Sequence, residues 1–183
     1  MKLISPDDPN LKRSLPKFDD KQLEDYDIKD RKELSDKMFE FMSKVGGIGL
    51  TANQVGMNLN VFTIGNHPAL ENGLKMVCFN PIIISESAEQ IMLKEGCLSF
   101  PFLFLSIKRP RKVVAKFEDE NGELKEARLD GMMSRVFQHE YDHTQGKTML
   151  DKVSKFKYNQ ALKKAQKLMK KNMRDAKNAK KDN

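Results

Sequence analysis

The feature that most constrains this chain is the segment 138–143, which reads Q-H-E-Y-D-H. Residues four apart share one face of an α-helix, so His139 and His143 can present two imidazoles to one metal ion. Glu140 lies about 100° further round the helix, where its carboxylate can reach a water beside that ion. Apolar residues at three- and four-residue spacings predict a helix over 131–145. Two surface histidines one turn apart are the simpler alternative, and the glutamate at the base position disfavours it.

A catalytic site of this kind needs a third protein ligand. Downstream of the helix the only acidic residues are Asp151, Asp175 and Asp182, and no further histidine follows. Cys97, in the segment E-G-C-L-S, is the better ligand, and it would leave one tetrahedral position open for water. Cys78 lies in an apolar run and is predicted to be a buried, unreactive thiol.

A third segment, residues 47–56, reads G-I-G-L-T-A-N-Q-V-G. Followed by E-G-C-L-S and Q-H-E-x-D-H, it resembles the three signature motifs of the peptide deformylases, in that family's order. Residues 4–11, Asn80-Pro81, Arg109-Pro110 and 131–136 are also similar to family segments, so the resemblance covers about residues 3–152.

The resemblance implies a function and a set of site residues. The function is hydrolysis of the N-formyl group on the initiator methionine of new polypeptides. The metal would be one divalent ion, most commonly Fe(II), with zinc or nickel as alternatives. The implied metal ligands are Cys97, His139 and His143, and the implied catalytic groups are Glu140 as base, the Gln54 amide and the Leu98 backbone N–H. The implied substrate-binding residues are Ile48, Gly49, Gly96, Arg135 and Val136.

Some residues depart from the family pattern. Thr51 stands where alanine is usual, Asn53 where proline is common, and Thr144 where leucine is frequent. The first two flank Gln54 and are expected to affect how it is presented. The run 100–105, F-P-F-L-F-L, is more apolar than is usual and lacks the glycine after the proline. It is predicted to be a buried strand, with a wall of an apolar substrate pocket as the alternative.

Between residues 59 and 129, short β-rich runs alternate with turn residues, and Asn121-Gly122 is a hairpin signal. No helix-length pattern intervenes, so the sheets should be antiparallel. A first helix should follow an Asp30–Glu33 capping box, and residues 1–25 should be extended with few apolar anchors. The predicted fold is α+β, peptide-deformylase-like, with antiparallel sheets around the metal-binding helix and a C-terminal helix.

The chain has 183 residues and a net charge of +7. Residues 151–183 hold 12 Lys/Arg and 3 Asp/Glu, a charge of +9, which leaves −2 for residues 1–150. We therefore predict a catalytic domain over 1–150 and a basic helix or tail over 151–183. The tail is predicted to pack on the body with a solvated basic face, or to bind ribosomal RNA, which the resemblance also favours.

Composition and motifs also exclude several classes of protein. No apolar run is long enough to span a bilayer, and no secretory signal is recognised, so the chain is expected in the cytoplasm without membrane or DNA partners. The glycines at 47–56 and 146 lack the spacing of a P-loop. Two alternatives remain: an H-E-x-x-H endopeptidase, and a basic ribosome- or RNA-binding protein with a relic metal site.

Overall fold

The computed structural model describes residues 1–65, 67, 68, 70 and 74–179. Its largest element is a five-stranded antiparallel sheet in the order β1-β2-β3-β6-β7. The strands are β1 (Gly49–Thr51), β2 (Val61–Gly65), β3 (Lys75–Glu86), β6 (Lys112–Glu118) and β7 (Leu124–Asp130). Two of the short β-rich runs between residues 59 and 129, at 76–79 and 81–85, form the single strand β3, which is irregular at Asn80, where φ is 50°. The predicted hairpin turn joins β6 and β7 at Gly122, where φ is 78°.

Two further strands, β4 (Gln90–Cys97) and β5 (Phe100–Pro110), form a separate antiparallel hairpin. The prediction that residues 100–105 form a buried strand is wrong in part. Leu103 and Leu105 are buried, whereas Phe102 and Phe104 point the other way and are exposed. Successive side chains of a strand face opposite sides, so a continuous apolar run cannot be buried when only one face is covered.

Within the described residues, the sheets are joined by three α-helices: α1 (Arg31–Lys44), α2 (Gly131–Thr144) and α3 (Lys155–Ala179). Helix α2 packs on the sheet through Val136 and Phe137, which contact the buried ring of Phe62 and its neighbours. Its stretch from residue 134 to 140 is buried without interruption, because the sheet covers one side and the β4–β5 hairpin the other. The predicted α+β class and the central helix are therefore confirmed.

Helix α1 begins as predicted, except for its capping box. Asp30 accepts a hydrogen bond from the Glu33 N–H at 2.8 Å. The Glu33 carboxylate, however, accepts from the N–H of Lys29, one residue before the cap. The return hydrogen bond of the capping box is therefore made to the residue before the cap. The two side chains still satisfy two backbone N–H groups at the helix start.

The N-terminal segment differs from its prediction. It contains two short 3-10 helices, Pro9–Lys12 and Asp20–Tyr26. Leu11, Phe18 and Leu23 are buried, so the segment is anchored to the core at each turn. Apolar residues spaced irregularly give no periodic signal, which is why the sequence pattern underestimated their burial.

Helix α3 packs against β5 only along its first half, where Ala165 is buried and Tyr158 and Ala161 are partly buried. Beyond that point Met173 is 71% exposed. None of the helices among the described residues is long and apolar enough to cross a membrane.

Arg31 connects the N-terminal segment to the sheet through hydrogen bonds and contacts with aromatic rings. Its guanidinium donates to Asp20 and Glu118, each at 2.7 Å, and lies 5.0 Å from the ring centres of Phe18 and Phe79. We expect Arg31→Met to lower the free energy of unfolding by about 1–2 kcal/mol at pH 7. Urea unfolding of the two proteins measures the difference.

The same difference should shrink in acid. Partial burial alone would raise the pKa of Glu118, but hydrogen bonds from Arg31 and Asn80 outweigh it and lower that pKa below the ordinary 4.5. A carboxyl group whose pKa is lowered by folding stabilises the protein above its unfolded pKa and loses that effect as the pH falls through the folded value. Repeating the unfolding at pH 3 should therefore give a smaller gap between wild type and Arg31→Met; an unchanged gap would assign the effect to the aromatic contacts.

Candidate metal centre and active site

One sulfur and two imidazoles converge between α2 and the end of β4. The ligand atoms of Cys97, His139 and His143 all lie within 4.8 Å of one another, and Cys97 Sγ is 3.3 Å from His143 Nε2. A tetrahedral ion with bonds of about 2.3 Å to sulfur and about 2.0 Å to nitrogen would hold two such atoms about 3.5 Å apart. Both histidines are buried, and burial lowers the pKa of His143, which favours the neutral form that binds metals. The donor set fits one divalent metal ion.

A buried carboxylate orients the first histidine. Glu95 Oε2 lies 3.0 Å from His139 Nδ1. Burial alone would raise the pKa of Glu95, but hydrogen bonds from His139 and Arg109 outweigh it and hold that pKa far below its usual value. An ionised carboxylate can only accept, so Nδ1 carries a hydrogen, and a metal ion would bind this ring in its neutral form through Nε2.

Arginines surround that carboxylate. Arg109 donates to both Glu95 oxygens, at 2.7 and 3.0 Å, and to Asp142 Oδ2 at 2.6 Å. Arg135 donates to Glu95 Oε1 at 2.7 Å and to the carbonyls of Ile91 and Ile107. These contacts tie α2, which carries both histidines, to the hairpin that carries Cys97.

Glu140, the next residue on α2, is buried and lines the same cavity as His139. Its Oε2 accepts a hydrogen bond from Thr51 Oγ1 at 2.7 Å, and burial raises the pKa of its carboxyl group. Gly49 allows this position, because a Cβ atom there would overlap with the Glu140 carboxylate. A carboxylate with a raised pKa, beside a metal site, is suited to accept and return a proton near neutral pH.

The Gln54 amide is fixed in one orientation. Its Oε1 accepts from the backbone N–H of Thr51 at 2.8 Å, and its Nε2 donates to Ser99 Oγ at 3.0 Å and lies 3.5 Å from Cys97 Sγ. The amide nitrogen therefore faces the donor atoms of the metal centre. Leu98 is adjacent, in the two-residue turn between β4 and β5.

A cavity of about 570 Å³ opens onto these groups. Its lining includes all the predicted catalytic and substrate-binding residues, together with two of the predicted ligands: Ile48, Gly49, Gln54, Gly96, Cys97, Leu98, Arg135, Val136, His139 and Glu140. The third predicted ligand, His143, lies behind them and is fully buried. β1 is the terminal strand of the five-stranded sheet, so its free edge is placed to pair with an extended peptide.

The sequence family profile described as Polypeptide deformylase matches residues 2–159. The chain belongs to the peptide deformylase family. The peptide deformylase of Wolbachia pipientis wMel is 42% identical over 153 residues, covering 79% of this chain and 86% of that protein. The chloroplastic peptide deformylase 1B of Solanum lycopersicum is 37% identical over 84% of this chain, which spans only 53% of that relative's length.

Solved structures of deformylases share the fold. The chain superimposes on Arabidopsis thaliana peptide deformylase 1B, crystallised with an inhibitor, with a TM-score of 0.77 and 31% identity, covering 96% of this chain and 93% of that one. The Thermotoga maritima peptide deformylase gives a TM-score of 0.73 and 33% identity over 84% and 97% of the two chains. The family is one of metal-dependent enzymes, in accordance with the Cys/His/His cluster.

Several residues of the candidate site were not assigned from the sequence. Glu95 and Ser99 flank Cys97 within E-G-C-L-S, so the motif carried the signal, but their contacts with His139 and Gln54 depend on tertiary packing. Thr51 was expected to affect Gln54. Its backbone N–H does bind the Gln54 amide oxygen, and its side chain also contacts Glu140, while the Asn53 amide donates to the carbonyl of His143 at 3.0 Å.

Arg135 was predicted to bind substrate. It lines the cavity, but its guanidinium is 4% exposed and is engaged with Glu95 and two backbone carbonyls. In this structure the charged group therefore contributes to the attachment of α2 to the hairpin.

Proposed function

We propose that this chain hydrolyses the N-formyl group of formyl-methionine at the start of newly synthesised polypeptides and releases formate. The observation that carries the proposal is the convergence of Cys97, His139 and His143 with Glu140 and the Gln54 amide at one end of a peptide-sized cavity. An endopeptidase with the H-E-x-x-H motif would take its third metal ligand from the chain downstream of α2. Here the third donor is the cysteine upstream of α2, so the arrangement favours the deformylase.

Cys97, His139 and His143 would hold the metal ion. When bound, the ion supplies positive charge that makes a nearby water molecule more acidic and polarises the formyl carbonyl. Fe(II) is proposed as the natural metal, with zinc or nickel able to occupy the same donors, because a thiolate with two imidazoles accepts all three. Metal analysis of protein purified under anaerobic conditions, beside activity after reloading with each metal, distinguishes them.

Glu140 transfers the protons. Its carboxylate takes a proton from the attacking water and later delivers it to the leaving amine, so that one group acts first as base and then as acid. The hydrogen bond from Thr51 holds Oε2, which leaves Oε1 directed past Gly49 toward the cavity. The peptide product then leaves with a free α-amine.

Gln54 and Leu98 stabilise the charge that develops on the formyl oxygen. The Gln54 Nε2 carries two hydrogens; Ser99 Oγ accepts one of them, and the other faces Cys97 Sγ at 3.5 Å, where the formyl oxygen of the substrate would take its place as acceptor. The backbone N–H of Leu98 provides the second donor. Ile48, Gly49, Gly96 and Val136 form walls of the cavity in which the methionine side chain and the first peptide units would lie. A formyl carbon carries only hydrogen, so a narrow site around Gln54 would exclude larger acyl groups.

The decisive experiment measures formate release from a formyl-Met tripeptide by protein loaded anaerobically with Fe(II). Release from this substrate, with an unblocked peptide left intact, is the expected result. Cleavage of the unblocked peptide would identify an endopeptidase, and no release at full metal occupancy would overturn the proposal.

Thr51 gives a prediction specific to this chain. Thr51→Ala removes the hydroxyl that fixes the Glu140 carboxylate, so we expect kcat to fall about three- to tenfold with little change in KM. Thr51→Ser retains the hydroxyl and should restore kcat. Steady-state kinetics of the three proteins test this, and equal kcat values would show that packing alone positions Glu140.

The proposed location is the cytoplasm, with nascent chains as the partner and no membrane or DNA partner. Ribosome docking through the basic helix α3 is the additional partner we propose, supported by the +9 charge of residues 151–183. Co-sedimentation with ribosomes that is lost with residues 155–183 and weakens with salt would support docking; binding unaffected by truncation would contradict it.

A further inference from the structure

A second cavity, of about 480 Å³, lies between the β4–β5 hairpin and α3. We call it the hairpin groove. The hairpin contributes Met92, Phe102 and Phe104 to its walls, and α3 contributes Lys157, Gln160, Lys164 and Leu168. None of these groups has a part in the proposed reaction. Phe104 also borders the active-site cavity.

The hairpin groove adjoins the active-site cavity. Lys94 and Phe104 line both spaces. The Phe104 ring packs directly on Gly96, where a Cβ atom would come within 2.8 Å of it, and Gly96 precedes Cys97 in the chain. Phe104 therefore stands at the boundary between the metal centre and the groove.

The walls of the groove are apolar and open to solvent. Met92 is 54% exposed, Phe104 49%, Leu168 41% and Phe102 38%. Scattered apolar residues are normal at a protein surface, but a contiguous set that lines a concave surface indicates a binding site.

Phe102 has an unusual backbone conformation. Its φ is 65°, in the left-handed region that large side chains rarely adopt, and it lies where the β4–β5 pairing is irregular. Glycine would fit this position without strain. An aromatic residue retained here places apolar surface in the groove at a cost in stability, which points to a use for that surface.

The charged groups of the groove are all positive. Lys94, Lys157 and Lys164 line it, and no aspartate or glutamate does. Within the described part of the chain, these three ammonium groups have no ion-pair partner; Lys94 lies 5.0 Å from the centre of the Phe104 ring. The groove is thus complementary to an extended segment with acidic and apolar side chains.

We propose that the hairpin groove is a distal subsite for the substrate polypeptide, which binds residues well after the formyl-methionine and favours acidic side chains there. The inference rests on the proposed function, because the polypeptide enters through the active-site cavity. Ribosomal RNA would match the lysines but not the exposed apolar walls, so a peptide is the better occupant.

The length of the hairpin sets which substrate residues reach the groove. From Cys97 back to Met92 the strand advances five residues, about 17 Å. An extended substrate that leaves the active-site cavity alongside β4 would pass Phe104 and Lys94 at the boundary and reach Met92, inside the groove, at about its fifth residue. The kcat/KM for a formyl-Met tripeptide should therefore stay the same when groove residues are replaced, whereas the kcat/KM for a decapeptide should change.

The test compares kcat/KM for a formyl-Met tripeptide and for two formyl-Met decapeptides that carry aspartates or lysines at positions 5–8. Wild type should prefer the acidic decapeptide about five- to twentyfold, mainly through KM, and less at high salt. Lys157→Glu/Lys164→Glu should abolish or reverse this preference. Lys163→Glu/Lys170→Glu makes the same charge change on the part of α3 that does not line the groove, and should leave the preference intact.

A second variant tests the aromatic wall. Phe102→Gly relieves the strained backbone, so it should unfold at the same or a higher urea concentration, yet raise KM for a decapeptide with apolar residues at positions 5–8. Equal kcat/KM for the acidic and basic decapeptides in wild type, or an equal loss in the control lysine variant, would overturn the subsite. If Lys157→Glu/Lys164→Glu lost ribosome binding but kept the preference for the acidic decapeptide, the subsite would also be overturned and the lysines would be assigned to RNA binding. Failure of the proposed function would differ, since the tripeptide would release no formate.

Discussion

Replacing Glu140 with glutamine is expected to lower kcat for formate release by about 10²–10⁴-fold. The glutamine has nearly the same shape and can still accept a hydrogen bond from Thr51, so the loss isolates proton transfer from packing. Because the carboxylate is not one of the three converging donor atoms, metal content should stay at one ion per chain. Formate assays and metal analysis on the same samples measure both quantities.

Cys97→Ser is the matched comparison. It replaces one of the donor atoms, so it should lose metal and activity together, whereas Glu140→Gln should lose activity alone. If Glu140→Gln retained more than a tenth of the wild-type kcat, another group would have to act as the base, and the proposed mechanism would be wrong.

Replacing Arg109 with methionine is expected to lower the free energy of unfolding by about 3–5 kcal/mol. The guanidinium is 4% exposed and bridges Glu95, on the hairpin, and Asp142, on α2. Its removal leaves two buried carboxylates with fewer partners, and uncompensated buried charge is costly. For a chain of this length, that loss corresponds to a fall in Tm of about 10 °C.

Arg111→Met provides the control two residues along the chain. Arg111 pairs with Glu89 and Asp130, but these side chains are about half exposed and solvent screens the pairs, so the loss should be much smaller than at position 109. Urea unfolding of the metal-loaded proteins at pH 7 compares the two variants. Similar losses at positions 109 and 111 would show that the buried network contributes no more than a surface pair.

The metal-binding helix and the main architecture could be predicted because their signals are local. The i, i+4 spacing of His139 and His143 specifies a helix face, and Asn121-Gly122 specifies a hairpin, without reference to distant residues. The α+β class, the antiparallel sheets and the family were predicted in this way and are confirmed. The metal ligands and the catalytic residues remain predictions, which the geometry supports.

Other features could not be predicted because they depend on which elements meet. The burial of Leu11, Phe18 and Leu23 follows from where the N-terminal segment packs in the fold, and no periodicity in the sequence predicts it. The exposure of Phe102 and Phe104 follows from the covering of only one face of the β4–β5 hairpin.

The sequence by itself identified the family and predicted a donor set and a chemistry, because the identity and spacing of a few reactive side chains limit what they can bind. Tertiary structure alone decided that Glu95 orients His139, that Thr51 holds Glu140, and that Arg109 joins the hairpin to α2. It also decided that a lysine-lined groove adjoins the active site. Each of these contacts joins residues more than 30 positions apart, and short-range sequence patterns carry no information about such distances.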